Sequence, residues 1–337
     1  MSLRRTALLL ACLLVLVPQL AAAKTLKIAT IVPEGSSWMV EMRRAADEVA
    51  ERTAGRVQLK FYPGGVMGND KTVLRKVRAG QLQGGAFTSG ALAAVYPDIE
   101  LYSLPFLFRD YGEVSHVRQQ MDAKLSAGLE TAGFVPLVIT DGGFAYVLSN
   151  KPMRRVEDLS GAKVWLVEDD KMSEIALQIA GVSPVPLPIA DVYTALQTGL
   201  IDTVAAPPAG AIAFQWHTKV KYLTDVPVMY LAGVVAVDKK AIAGLDPADQ
   251  QALREIVAAA GRRLDEQSRS GEANARDALA NQGIEFVAAT SDEEVERWRD
   301  ISRQALDKIR GMKVYHDATI SEILALLDAY RAKSAAE

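Results

Sequence analysis

Three histidines, His116, His217 and His316, are the side chains best suited to acid–base work near neutral pH, and they stand far apart in the chain. None sits in a His-Glu-x-x-His pair that would hold zinc on one helix face. Ser89 lies in the glycine-rich run Gly84 to Gly90, without the Gly-x-Ser-x-Gly elbow that exposes a nucleophile. The run Gly64-Gly65-Val66-Met67-Gly68-Asn69 lacks the Lys and Ser/Thr of a phosphate-cradling loop and reads as a turn. Glu168-Asp169-Asp170 offers oxygen ligands for a hard cation. The simpler account is a solvated loop ahead of a helix, where acids meet the positive end of the dipole. No metal site and no cofactor is expected, and binding is favoured over catalysis. A secreted α/β hydrolase is the alternative from another class; it requires a nucleophile with a histidine in reach.

The chain that must position these residues is large. Of its 337 residues half are hydrophobic and 23% charged, enough to build a core that offsets chain entropy. The length suggests two domains. Lys and Arg number 38 against 41 Asp and Glu, and no aromatic-basic stripe occurs, which excludes a nucleic-acid binder. Arg4 and Arg5 precede an apolar run, Ala7 to Val17, that is too short to span a bilayer. Pro18 and Ala21-Ala22-Ala23 follow, so residues 1–23 read as a secretory signal peptide cleaved after Ala23. The only cysteine, Cys12, falls inside it, and the apolar run continuing past Cys12 argues against lipid attachment there. The mature chain then has no disulfide and relies on its core. No later stretch reaches about 18 apolar residues, so the expected product is a soluble protein of the periplasm.

Strands and helices alternate along the mature chain. Leu26 to Ile31 reads as a strand, and Ser36-Ser37 caps a helix with Met39, Met42, Ala46 and Val49 at helical spacing. Val57, Leu59 and Phe61 alternate as a second strand; Asn69-Asp70 caps a helix to Arg78; Gly84 to Thr88 is a third strand. This β-α-β-α-β order predicts parallel pairing with right-handed crossovers. A second round begins with Phe134 to Thr140 and Tyr146 to Ser149, read as two strands, then Gly161 to Val167, a helix from Asp170, Val185 to Leu187, a helix from Asp191 and Val204 to Ala206. The last third is mainly helical. Asp246-Pro247 starts a helix that runs to about Asn281, where Gly261 and Gly271 offer bends. Ile284 to Val287 is a short strand, and Ser291 to Glu294 forms a capping box.

The run Gly181-Val182-Ser183-Pro184-Val185-Pro186-Leu187, continuing through Asp191-Val192-Tyr193-Thr194-Ala195-Leu196-Gln197-Thr198-Gly199-Leu200-Ile201-Asp202, resembles a characteristic stretch of the periplasmic solute-binding components of TRAP transporters, dicarboxylate-receptor type. Pro63-Gly64-Gly65, Arg78-Ala79-Gly80, Leu104-Pro105-Phe106-Leu107-Phe108-Arg109-Asp110, Asp158 to Lys163 and Lys219 to Thr224 agree with it in order. The resemblance covers the whole mature chain. It implies an α/β fold of two lobes, each a mainly parallel sheet flanked by helices, with crossing strands and a long lobe-spanning helix. Lobe I would comprise 24–146 with 232–265, and lobe II 147–231 with 266–330. Ligand would bind in the cleft between them. The implied partners are a small-molecule ligand and integral membrane TRAP subunits, and the protein is expected to be a monomer.

Three positions depart from the family's pattern. The arginine that normally clamps the ligand carboxylate is Trp165 here, a second arginine position is Ala145, and the usual asparagine is Ala206. A paired, planar guanidinium suits a carboxylate, and a buried carboxylate without a partner is costly. The resemblance therefore implies a neutral or hydrophobic ligand, with Trp165 and Phe144 as walls and Phe87, Trp38, Phe214 and Trp216 in cleft-lining segments. The alternative within the binding class is an organic acid held by relocated donors, Lys163, Arg75 or Arg78.

Overall fold

In a computed structural model, which describes residues 23–335, strand β1 (Lys24–Thr30) pairs in parallel with β2 (Val57–Tyr62) and β3 (Gly84–Thr88). The signal-peptide reading and Cys12 lie outside the described residues, Ala23 excepted. Between the strands run the two helices the caps define. Ser36 Oγ accepts from the Met39 N–H at 3.2 Å to open Ser37–Arg52, and Asn69 Oδ1 accepts from Thr72 N–H at 3.0 Å to open Asp70–Arg78. Met39, Met42 and Val49 point inward from the first of these, one stripe at helical spacing.

The centre of the molecule is antiparallel. Strand β4 (Phe134–Ser149) pairs along its length with β8 (Tyr222–Asp238), from Phe134 opposite Asp238 to Ser149 opposite Tyr222. At one end β8 borders β3, and at the other β4 borders β7 (Thr203–Ala206) and β8 borders β9 (Glu285–Val287). Two long strands thus run through both halves of a seven-stranded sheet, with parallel pairs towards the outside. Strand β5 (Trp165–Val167) pairs in parallel with β6 (Val185–Leu187), and a Val164–Thr203 bridge attaches them beside β7. Phe134 to Ser149 is one strand rather than two. Its Asp141-Gly142-Gly143 segment is a β-bulge, with Gly143 at φ 92°, which bends the strand without ending it.

The helix that opens at Asp246, whose carboxylate accepts from Ala248 N–H at 3.0 Å, is continuous from Pro247 to Asn281. Gly261 does not break it. A Cβ there would lie 2.2 Å from Val138 Cγ2, so the glycine lets the helix lie close against β4. Where this helix passes the bulge a buried ionic network ties the strands down. Arg118 donates to Asp141, to Asp265 at 3.0 Å and to the Ile139 carbonyl at 2.6 Å, and Arg269 donates to Asp141 at 2.6 Å. The Tyr230 hydroxyl, from β8, also donates to Asp141. Helix Asp292–Met312 then returns across the second half, opened by Ser291 accepting from Glu294 N–H at 3.3 Å.

Candidate ligand-binding site

A cavity of about 390 Å³ is lined by residues of β3, β4, β5 and β7 and of the helices around them. Strand β3 supplies Phe87 to it, the bulge of β4 supplies Thr140 to Gly142, β5 supplies Trp165 and β7 supplies Ala206. Trp38 begins the first helix and Trp298 projects from Asp292–Met312, so all four tryptophans of the chain line one cavity. Trp165 meets Trp216 edge to face, 5.2 Å between centroids at 74°, and Phe214 stacks on Trp216 at 5.3 Å. These geometries add attraction beyond the buried area. The Trp165 indole is fixed as well as packed, its Nε1–H donating to the Leu187 carbonyl at 3.0 Å across the β5–β6 pair. Phe106, 6.2 Å from Trp298, holds its backbone at φ 55°, a left-handed conformation that a phenylalanine adopts only at a cost. Its N–H is anchored to the Val228 carbonyl at 2.8 Å.

The charge in the wall has one sign. Among the described residues the lining contains Glu100, Asp141, Glu168 and Asp170, and no lysine, arginine or histidine. Asp141 is already engaged by two arginines. Glu100, 3% exposed, and Asp170 both line this wall. Burial, reinforced by the neighbouring Asp170, pushes the Glu100 carboxyl up to about 8, against the opposing hydrogen bond from the Tyr315 hydroxyl at 2.6 Å. Burial likewise raises Asp170, although it accepts from the Ser173 N–H at 2.9 Å as the cap of helix Lys171–Ile179. Glu100 also borders a second cavity of about 350 Å³. Asp70 lies there, pushed up to about 6 by burial while Thr88 donates to it from N–H and hydroxyl at 3.3 and 3.2 Å.

Of the residues singled out in the sequence, Trp38, Phe87, Trp165, Ala206, Phe214 and Trp216 come together on this cavity. Phe144 and Ala145 do not line it. Side chains alternate across a strand, and beyond the bulge Phe144 points to the opposite face from Val147, into a cluster with Tyr111 at 5.0 Å and Tyr230 at 5.7 Å. Ala145 is fully buried among Val147, Met229 and Leu231. Lys163, Arg75 and Arg78 border neither cavity; Lys163 is exposed with Nζ on the Gly199 carbonyl at 2.8 Å, and Arg75 Nη2 donates to Thr72 at 3.1 Å. Trp298 and Glu100 line the cavity without any local sequence signal, and Asp170, whose pattern indicates a helix start or a cation ligand, lines it too. The Glu168 to Asp170 acids gather no metal-binding group: no cluster of three or more such side chains occurs among the described residues. The histidines are dispersed too, His217 on the Ala211 carbonyl at 3.1 Å and His316 on Asp98 at 3.0 Å.

The profile of the bacterial extracellular solute-binding proteins, family 7, matches residues 28–311. The chain belongs to this family. Family 7 proteins are solute receptors, not enzymes, which removes the hydrolase alternative. The receptor is 27% identical over 298 residues to the 2,3-diketo-L-gulonate-binding periplasmic protein of Escherichia coli K12, spanning 87% of this chain and 86% of that one. It is 31% identical over 209 residues to the C4-dicarboxylate-binding periplasmic protein of Rhodobacter capsulatus, covering 60% and 61% of the two chains. A TRAP periplasmic solute-binding protein from Ochrobactrum anthropi superposes with a TM-score of 0.80 at 27% identity, over 92% of this chain and 97% of that one. The α/β fold of TRAP periplasmic binding proteins is therefore shown for this receptor, which acts outside the cytoplasm.

Proposed function

We propose that this receptor takes a neutral or hydrophobic small molecule into the tryptophan-lined cavity and delivers it to integral membrane TRAP subunits. The observation that carries the reading is the wall itself: four tryptophans, three phenylalanines and no basic side chain among the described residues. Trp165, Ala145 and Ala206 stand where the family resemblance implies polar anchors, so a bound carboxylate would lack its usual partners. Export after cleavage near Ala23, a monomeric state and closure by lobe movement belong to the same reading. The lobes would be 24–146 with 232–265 and 147–231 with 266–330. Closure would flex the long strands β4 and β8, which run through both, as a hinge does. The ligand shifts the population towards the closed form.

Relatives named for 2,3-diketo-L-gulonate, C4-dicarboxylates and sialic acid favour the rival reading, an organic acid. Against it stand the positions of Lys163, Arg75 and Arg78, away from the cavity. Thermal-shift measurements with those acids decide. A ligand at a hundred times its Kd adds about 2.7 kcal/mol to stability. Millimolar 2,3-diketo-L-gulonate, succinate or sialic acid should leave the melting temperature unmoved; a clear rise with any of them establishes the organic-acid reading instead.

A further inference from the structure

The tryptophan-lined cavity does not end at a wall of its own. Ile31, Gly90, Glu100, Val167, Glu168 and Ile189 border both it and the second cavity of about 350 Å³. Most of this partition is apolar. Of its two acids, Glu100 accepts from the Tyr315 hydroxyl at 2.6 Å, and Glu168 is exposed, with Asn69 Nδ2 donating to it at 3.4 Å. Gly90 leaves the partition open: a Cβ built on it would find, outside its own helix, only Glu100 Oε1 within 4 Å, at 3.5 Å. Beyond Gly90 the second cavity has an apolar floor, where Leu74, Met172, Ile175 and Ile309 are buried. Met312 and Val314 border it too, and they are two of the large apolar side chains that stand exposed among the described residues. Apolar groups left in water beside a cavity mark surface that a ligand can cover. At the rim Lys71 Nζ donates to Asp169 at 2.9 Å and Lys171 Nζ to Glu174 at 2.6 Å, so each lysine already has its carboxylate.

We propose that the two cavities form one site, and that its ligand is a single elongated neutral molecule whose bulkier end lies against the tryptophans and whose aliphatic chain passes Gly90 into the second cavity. The inference deepens the reading of the first cavity as an apolar ligand site and rests on it. An apolar cavity of about 150 Å³ takes one benzene, so the 390 Å³ of the first takes about two and a half rings' worth of carbon. A longer molecule continues past Gly90, where no side chain stands in its way. An aliphatic chain is narrow enough for that opening and asks the partition for no hydrogen bond. Its far end reaches the polar rim, where a hydroxyl can meet water.

Two neutral probes test this, 4-octylphenol and 4-dodecylphenol, titrated into the purified mature protein and read by the emission of its four tryptophans, all of which line the first cavity. The shorter probe holds about two and a half rings' worth of carbon and fills the first cavity, so the four further methylenes of the longer one need the second. Each buried methylene tightens binding about fourfold, so 4-dodecylphenol should bind at least about tenfold more tightly than 4-octylphenol. Gly90→Leu stands a side chain in the opening and should bring the two probes within about threefold of each other. Ala91→Phe fills the second cavity from its own wall; it should do the same and serves where Gly90→Leu does not fold. Equal binding of the two probes to the unaltered protein overturns the joined site and leaves the tryptophan-lined cavity standing. So does a tenfold preference that survives both substitutions. No binding of either phenol overturns the apolar reading along with it.

Discussion

Glu100→Gln tests how burial acts on a carboxyl in the cavity wall. The carboxyl is buried and pushed up to about 8, from an ordinary value of 4.5. A glutamate whose value rises on folding prefers its neutral form in the native state. Its burial therefore costs nothing below about pH 4.5, costs progressively more as pH rises, and reaches its full cost once pH passes about 8. At 1.36 kcal/mol per pH unit the full cost is about 5 kcal/mol, and at pH 7 it is about 3 kcal/mol. Glutamine imitates the neutral acid: its amide N–H can donate towards Asp170 while its oxygen still accepts from Tyr315. The variant should match the unaltered protein near pH 4.5 and exceed it increasingly above, by about 3 kcal/mol at pH 7. Urea unfolding across pH 4.5 to 8.5, with ΔG extrapolated at each pH, reads this directly. Parallel curves for the two proteins would refute the argument, because they would show that Glu100 ionises in the native state as easily as in the unfolded one.

Other substitutions follow from the packing. Trp165→Phe removes the N–H that satisfies the Leu187 carbonyl and part of the contact with Trp216, and should lower chemical stability by about 1–3 kcal/mol. Gly261→Ala should cost about 1–3 kcal/mol because its Cβ meets Val138, whereas Gly271→Ala, with open space around it, should gain about 0.5–1 kcal/mol from helix propensity; denaturant melts of the pair test both. Arg118→Leu leaves Asp141 and Asp265 short of a buried partner and should destabilise the fold by about 3–5 kcal/mol, again by denaturant melting.

Local signals made much of the architecture readable. Asp246-Pro247 and the turn at Gly283 bound the long helix because capping is a property of a few neighbouring residues. Ser36, Asn69 and Ser291 announce their helices for the same reason. What failed depends on geometry across the fold. Asp141-Gly142-Gly143 has the composition of a turn and acts as a bulge, because β8 pairs on both sides of it. The resemblance implies cleft positions for Phe144 and Ala145, and the strand's alternation after that bulge turns Phe144 away. Trp298 comes from a helix remote in sequence and carries no local mark of its contact with Phe106. Glu100 carries no local mark, and Asp170 reads locally as a helix cap, until folding sets both against one cavity.

The account's central claim concerns what occupies the tryptophan-lined cavity. Native mass spectrometry of the exported protein, purified without denaturation and then stripped of its passenger for accurate mass, tests it most directly. The expected passenger is a neutral or hydrophobic molecule without a carboxylate, held between Trp165, Trp216 and Trp298. A sugar acid, dicarboxylate or other organic anion as the bound species would contradict it.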